Sequence, residues 1–196
     1  MTIILDMGGV LMQHNMPECI ARFTAILGED KMKSILGLAP NGEGITDSLM
    51  ERYERGEIST DYFVETIMEH AKEGTTREEV IEAWNTMHGG IPAERLEHIK
   101  KWKEAGHQLY LLSNNNDLHW NDIHSKYDMS MFEHCFASHL LHLSKPDILI
   151  YEAVDHQLHA WECKLPFYFV DDIAINRATA ERLGWKTFET IYDVEL

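Results

Sequence analysis

Thr2-Ile-Ile-Leu-Asp-Met-Gly-Gly-Val-Leu11 is the stretch on which the reading of this chain turns. Its first four residues form a short apolar run with two β-branched isoleucines, the composition of a buried strand. The run ends in Asp6, and Gly8 and Gly9 then permit a sharp turn. Two later stretches follow the same plan. Gln108 to Leu112 runs into Ser113-Asn114-Asn115-Asn116, and Pro166 to Val170 runs into Asp171-Asp172. Shorter strands are expected over His134–Ser138 and Lys186–Glu189. Between them, Arg95 to Ala105 reads as a helix stopped by Gly106. Pro146 suits the first position of a helix carrying Tyr151, Val154 and Leu158. Ala174 to Leu183 reads as a helix with Gly184 at C′. Strands alternating with helices imply an α/β, Rossmann-like parallel sheet with right-handed crossovers.

The segment after the first turn has a different period. Ile20, Phe23 and Leu27 mark one helical face, Leu49, Met50 and Tyr53 a second, and Phe63 and Ile67 a third opened by Ser59 or Thr60. Thr76 and Glu79 fit a capping box before Val80, Trp84 and Met87. Residues 14–88 are therefore expected to form a small helical cap inserted into an α/β core made of 1–13 and 89–196.

The 196 residues are 44% apolar and 26% charged, as in ordinary globular proteins, and carry a net charge of −16. That acidity disfavours nucleic acid and anionic membranes as partners. Cys19, Cys135 and Cys163 form no CxxC pair, so zinc is not expected, and the odd count suits a reducing cytoplasm. No window has the length of a membrane span. The histidines show no metal-ligand spacing. A monomer or weak homodimer acting on a small molecule is the expected form.

In an open parallel sheet, ligands bind beyond the carboxyl ends of the strands. Asp6, Ser113-Asn114 and Asp171-Asp172 all fall there. Singly, each cluster reads as a turn or helix cap. Together with Lys145 they suggest a site. Crowded carboxylates repel unless a cation sits among them, and hard oxygen donors suit Mg²⁺. Mg²⁺ and Lys145 would counter phosphate charge, Ser113 and nearby backbone N–H groups would hold phosphoryl oxygens, and a carboxylate could attack phosphorus.

These residues carry a family resemblance. Asp6-Met-Gly-Gly-Val-Leu11, Leu111-Leu-Ser-Asn114, Lys145-Pro-Asp147 with Tyr151-Glu152, and Val170-Asp-Asp-Ile-Ala-Ile-Asn176 resemble, in order, the four motifs of the haloacid dehalogenase (HAD) superfamily. The resemblance spans essentially the whole chain. Residues 14–88 then resemble the superfamily's small cap, and Tyr53-Glu-Arg-Gly-Glu-Ile-Ser59 looks like a segment common in its subfamily I. Leu112-Ser-Asn-Asn-Asn-Asp-Leu-His119 resembles the branch containing α-D-glucose-1-phosphate phosphatases. The resemblance implies Asp6 as nucleophile and metal ligand, the Gly8 carbonyl, Asp171 and Asp172 as further Mg²⁺ ligands, Ser113 and the Asn114 N–H as phosphoryl binders, Lys145 as the residue that orients Asp6, and Asn176 as a brace for the fourth motif. The implied activity is a Mg²⁺-dependent phosphatase acting on a small phosphomonoester, with a sugar phosphate among the candidates.

One position departs from the pattern. Most phosphatases of the superfamily carry a second aspartate two residues after the nucleophile as general acid and base, and here Gly8 stands there. Losing such an acid costs roughly two to four orders of magnitude in rate. Two readings are favoured: an intrinsically good leaving group, such as an anomeric sugar oxygen, or help from Gln13 or His14 through water or from His119; position 8 is expected to require glycine geometry. Two alternatives stay open: a metal-independent dehalogenase, which needs no acidic pair after Val170, and a module that has lost catalysis. Trp84 and Trp102 read as core, Trp120 as a residue facing the cap. Met7 and Met12 read as core or pocket floor. Asn115 and Asn116 are expected to shape a turn through left-handed backbone.

Overall fold

The apolar runs become five strands in the computed structural model, which describes residues 1–37 and 47–195. β1 (Thr2–Leu5), β2 (Gln108–Ser113), β3 (His134–Ala137), β4 (Phe167–Val170) and β5 (Lys186–Phe188) form one sheet, all pairs parallel, in the order β3-β2-β1-β4-β5. Alternate strand residues serve opposite faces. Ile3, Leu5, Leu109, Leu111 and Val170 belong to one core layer, together with Ile99 and Trp102 of α6 (Ala93–Glu104) and Ile123 of α7 (Asp117–Lys126). Ile4, Tyr110, Leu112, Phe167 and Phe169 face the other layer, under α9 (Ile148–Ala160) and α10 (Ala174–Glu181). The sheet is thus apolar on both sides, which explains why its strands read as unbroken hydrophobic runs.

Between β1 and β2 lie α1 (Met16–Leu27), α2 (Glu29–Leu36), α3 (Leu49–Glu54), α4 (Thr60–Met68) and α5 (Arg77–Asn85). They share a separate cluster around Phe23, Tyr53, Phe63 and Trp84, all buried. Tyr53 stacks on Phe63 at 4.3 Å, and Phe63 meets Trp84 at 4.8 Å. Burying each such ring stabilises the fold by roughly 2–3 kcal/mol, which fixes these short helices where propensity alone would not. The Thr76–Glu79 capping box forms, and Ser59 caps α4. Among the described residues no helix is long and apolar enough to cross a membrane.

Three local expectations need correction. Pro146 is not the first helical residue. Asp147 caps α9 by accepting from Leu149 N at 3.0 Å, and the helix begins at Ile148. Neither α2 nor α7 was expected. α2 buries only Met32 and Leu36 between Gly28 and Gly37, too few positions to show a stripe. α7 starts under a side-chain cap from Asn116, which accepts from His119 N. Asn115 and Asn116 are not left-handed: they act through hydrogen bonds, as described below.

Candidate active site

Register brings the first and last polar clusters together. Leu5 pairs with Leu111 on one side and Val170 on the other, so Asp6 and Asp171 leave adjacent strands at the same level. Asp6 N donates to Val170 O at 2.8 Å, which closes that junction. Ser113 ends β2 on the other flank. Lys145 arrives from the loop between α8 (Ser138–Leu141) and α9.

Its ammonium lies 2.8 Å from Asp6 Oδ1 and 2.6 Å from Asp171 Oδ2, and only 5% of the residue is exposed. A cation this deep survives only with partners. Burial alone would push Lys145 toward neutrality, but the two carboxylates outweigh it and hold it above the usual lysine range. Burial pushes Asp6 upward, Lys145 pulls it back, Asp171 pushes it up again, and the balance lies above the usual aspartate value. Asp6 Oδ1 also accepts from Met7 N at 2.6 Å. Asp171 is fully buried. It accepts from Lys145, from Ile173 N, and from Asn176 Nδ2 at 3.0 Å to each oxygen, while Arg177 donates to its backbone carbonyl.

Asp172 is exposed, and its carboxylate lies directly over the Gly9 Cα, where φ is +73° and a Cβ would run into it. One oxygen each from Asp6, Asp171 and Asp172 falls within 4.8 Å of the others. Three hard anionic donors so close, one of them open to solvent, fit a Mg²⁺ ion with water ligands. No hydrogen bond from the described residues reaches the Gly8 carbonyl, the fourth ligand that the resemblance implies.

Ser113 is buried beside the site, with its hydroxyl 3.2 Å from Asn114 O. Asn114 has a function not foreseen from its place in the chain. Its Nδ2 donates to Lys145 O at 2.9 Å and its Oδ1 accepts from Lys145 N at 2.8 Å, so one amide clamps the lysine backbone from both sides. Asn115 N donates to Ser138 Oγ, and Asn116 Oδ1 accepts from Trp84 Nε1, which ties this loop to β3's end and to α5. Arg95 was also missed. Its Nη1 donates to Gly9 O and Val10 O at 2.9 and 2.7 Å and braces the turn after Asp6. An arginine in the first turn of a helix gives no sequence signal of such a long-range contact.

Gly8 has an ordinary φ, so its backbone does not demand glycine. The constraint is spatial: a Cβ there would run into the imidazole of His14. His14 therefore occupies the space over Gly8. His119 does not reach the site chemistry. Both ring nitrogens are engaged, with Asn116 Nδ2 and Trp84 O, and the ring stacks on Trp84 at 4.8 Å. Trp120 is half-buried and packs against the sheet's core layer and against His124 and His139. Met7 and Met12 are core residues.

No family model matches the sequence. Solved structures do. A HAD family enzyme from Bacteroides thetaiotaomicron, crystallised as a point variant with magnesium and inorganic phosphate, is 26% identical with a TM-score of 0.82, over 96% of this chain and 92% of that one. A predicted HAD-like family hydrolase from Porphyromonas gingivalis is 28% identical with a TM-score of 0.78, over 95% and 89%. A 2-haloacid dehalogenase from Pseudomonas syringae pv. Tomato shares the fold at 15% identity and a TM-score of 0.59, over 95% of this chain and 84% of that one. With four motifs gathered at one sheet edge and these structural relatives, the chain belongs to the haloacid dehalogenase superfamily.

Proposed function

We propose that this protein is a Mg²⁺-dependent phosphatase of small phosphomonoesters, sugar phosphates among them, acting through an aspartyl-phosphate on Asp6. The observation that carries this reading is the buried Asp6–Lys145–Asp171 bridge with Asp172 alongside. A dehalogenase has no use for an extra acidic pair, and a silent module has no reason to keep a buried lysine between two carboxylates. The three free thiols are in keeping with work in the cytoplasm.

Asp6 Oδ1 is held by Lys145 and Met7 N, which leaves Oδ2 free to attack phosphorus. Lys145 keeps Asp6 ionised and offers positive charge to the phosphoryl oxygens. The Ser113 hydroxyl and the Asn114 N–H would hold those oxygens in place. Asp6, the Gly8 carbonyl, Asp171 and Asp172 would hold Mg²⁺, which when bound neutralises phosphate charge. Water then cleaves the acyl phosphate and restores Asp6.

The test is phosphate release from a panel of sugar and aryl phosphates, with Mg²⁺ and with chelator. Metal-dependent release is expected, and Asp6→Asn should abolish it while the fold persists. No metal-dependent release, or wild-type turnover by Asp6→Asn, overturns the reading. Metal-independent halide release from a 2-haloacid would assign the dehalogenase instead.

A further inference from the structure

The mechanism leaves one proton without a source. When Asp6 attacks, the P–O ester bond breaks and its electron pair goes to the leaving oxygen, which needs a proton. Gly8 offers none. The carboxylates of the core are committed as nucleophile or metal ligands.

The Tyr53-Glu-Arg-Gly segment brings another acidic residue to the same end of the sheet. Glu54 is the last residue of α3, where the cap comes down onto the core. Three contacts seat that helix end. Ser138 Oγ donates to Glu54 O at 2.5 Å, and the same oxygen accepts from Asn115 N beside the phosphoryl-binding loop. His142 Nδ1 lies 3.2 Å from Arg55 O. Gly56, at φ +64°, packs so tightly on the His139 carbonyl that a Cβ would run into it. The chain on either side of Glu54 is thus pinned to the β3–α8 junction. Glu54 itself is partly buried, within the electrostatic field of both Asp6 and Lys145. Arg55, its neighbour, turns its guanidinium to Asp47 and Glu57 and so does not neutralise it directly.

We propose that Glu54 is the acid–base residue of this site, supplied by the cap in place of the aspartate absent at position 8. The assignment rests on the phosphatase reading above. In the first half-reaction the Glu54 carboxyl gives its proton to the leaving oxygen as the P–O bond breaks. In the second, the Glu54 carboxylate takes a proton from the water that attacks the aspartyl-phosphate. The P–O bond to Asp6 breaks, its electron pair returns to the Asp6 carboxylate, and Glu54 is again protonated. The protonation state suits the task. Burial, chiefly, pushes this carboxyl up to about 7, with Glu51 and Asp6 adding to the rise and Arg55 and Lys145 opposing it. Such a group both gives and takes a proton near neutral pH. The position also couples chemistry to cap placement: a cap lifted from the Ser138 contact takes the acid away from the phosphoryl group.

The test compares wild type with Glu54→Gln in Mg²⁺ on two substrates, p-nitrophenyl phosphate, whose leaving group needs no proton, and glycerol phosphate, whose alkoxide does. The variant should lose about 10²- to 10⁴-fold in kcat on glycerol phosphate and less than about tenfold on p-nitrophenyl phosphate. The fall in kcat/KM for glycerol phosphate above about pH 7 should vanish in the variant. Equal losses on both substrates, or an unchanged pH limb, overturn the assignment. So does a leaving-group-selective loss in His14→Gln with none in Glu54→Gln, which would give the proton to the ring over Gly8. A wild type without Mg²⁺-dependent release fails the phosphatase reading itself. An active wild type with an indifferent Glu54→Gln fails only this one.

Discussion

The inserted helices meet the sheet at two polar seams, and the seams solve burial differently. At the strand ends, charge is buried: Lys145 lies between Asp6 and Asp171, and the end of α3 that carries Glu54 is pinned nearby through Ser138. Behind it, where α5 meets α7, the buried polar groups are neutral rings. His119 lies between Trp84 and the edge of His88, with its nitrogens on Asn116 and the Trp84 carbonyl. Burial holds His119 well below the usual histidine range, with His88 and His14 lowering it further and the Trp84 carbonyl opposing. A charged cluster costs desolvation that only function or exact pairing repays. A stacked neutral imidazole is packing. The first seam should therefore be sensitive in activity, the second in stability.

Lys145→Met is the most severe way to break this contrast. It leaves Asp6 and Asp171 facing each other in a buried space without their shared cation. Turnover should fall at least about 10³-fold, and stability by about 3–5 kcal/mol, the range for stripping one partner from a buried ion pair. Asp6→Asn should likewise be inactive yet cost little stability, because Lys145 keeps Asp171. Denaturant unfolding beside phosphate release separates the two. Equal destabilisation by both variants would mean that the pairing is not what holds the lysine.

His119→Ala should do the reverse. It removes a buried ring and strands the Trp84 carbonyl and the Asn116 amide, a loss of about 2–4 kcal/mol. Per folded molecule, kcat should stay within a few-fold of wild type. A kcat loss beyond about 100-fold in protein shown to be folded would put His119 in the chemistry after all.

The charged seam was largely legible in the sequence, and the neutral one was not. Buried parallel strands are continuous apolar runs, so Asp6, Ser113 and Asp171 announce themselves as the residues where each run stops. The parallel sheet then brings those ends together without further information. His119, Trp84 and Asn116 meet across 32 to 35 residues of helix and loop, and no periodicity encodes that meeting. The same holds for Asn114 clamping Lys145 and for Arg95 bracing Gly9. Glu54 was visible only as part of a familiar segment, because its partners depend on where the cap lands. Gly8 was misjudged in its reason: a glycine suggests backbone freedom, whereas a neighbouring ring set the limit.

The seams should also answer acid with opposite signs. Burial, chiefly, lowers His88 to about 4, helped by His14 and Lys126 and opposed by Asp122. The folded state thus prefers the neutral ring, and its contribution is complete above the usual histidine value of 6.5 and lost as pH falls from there to about 4. Glu54 is raised from 4.5 to about 7, so its contribution is complete below 4.5 and lost as pH rises to about 7. Between pH 7 and 5 the two oppose each other, each on the order of 1 kcal/mol after solvent screening. On acidification across that window, His88→Gln should lose less stability than wild type and Glu54→Gln should lose more. Melting curves at both pH values check this, and parallel behaviour of the three proteins would remove the distinction.

The smallest effect concerns Gly8 and His14. A methyl at position 8 meets the His14 imidazole rather than backbone, and that side chain is exposed and free to swing away. Gly8→Ala should therefore cost about 1 kcal/mol or less, unlike Gly9→Ala, where a positive φ and the Asp172 carboxylate both resist. Removing the ring by His14→Ala should relieve the cost, so that Gly8→Ala in that background is neutral within about 0.3 kcal/mol. A double-mutant cycle in denaturant measures the coupling directly. Zero coupling would mean that the ring does not hold the space over Gly8, and the glycine would again need a backbone explanation.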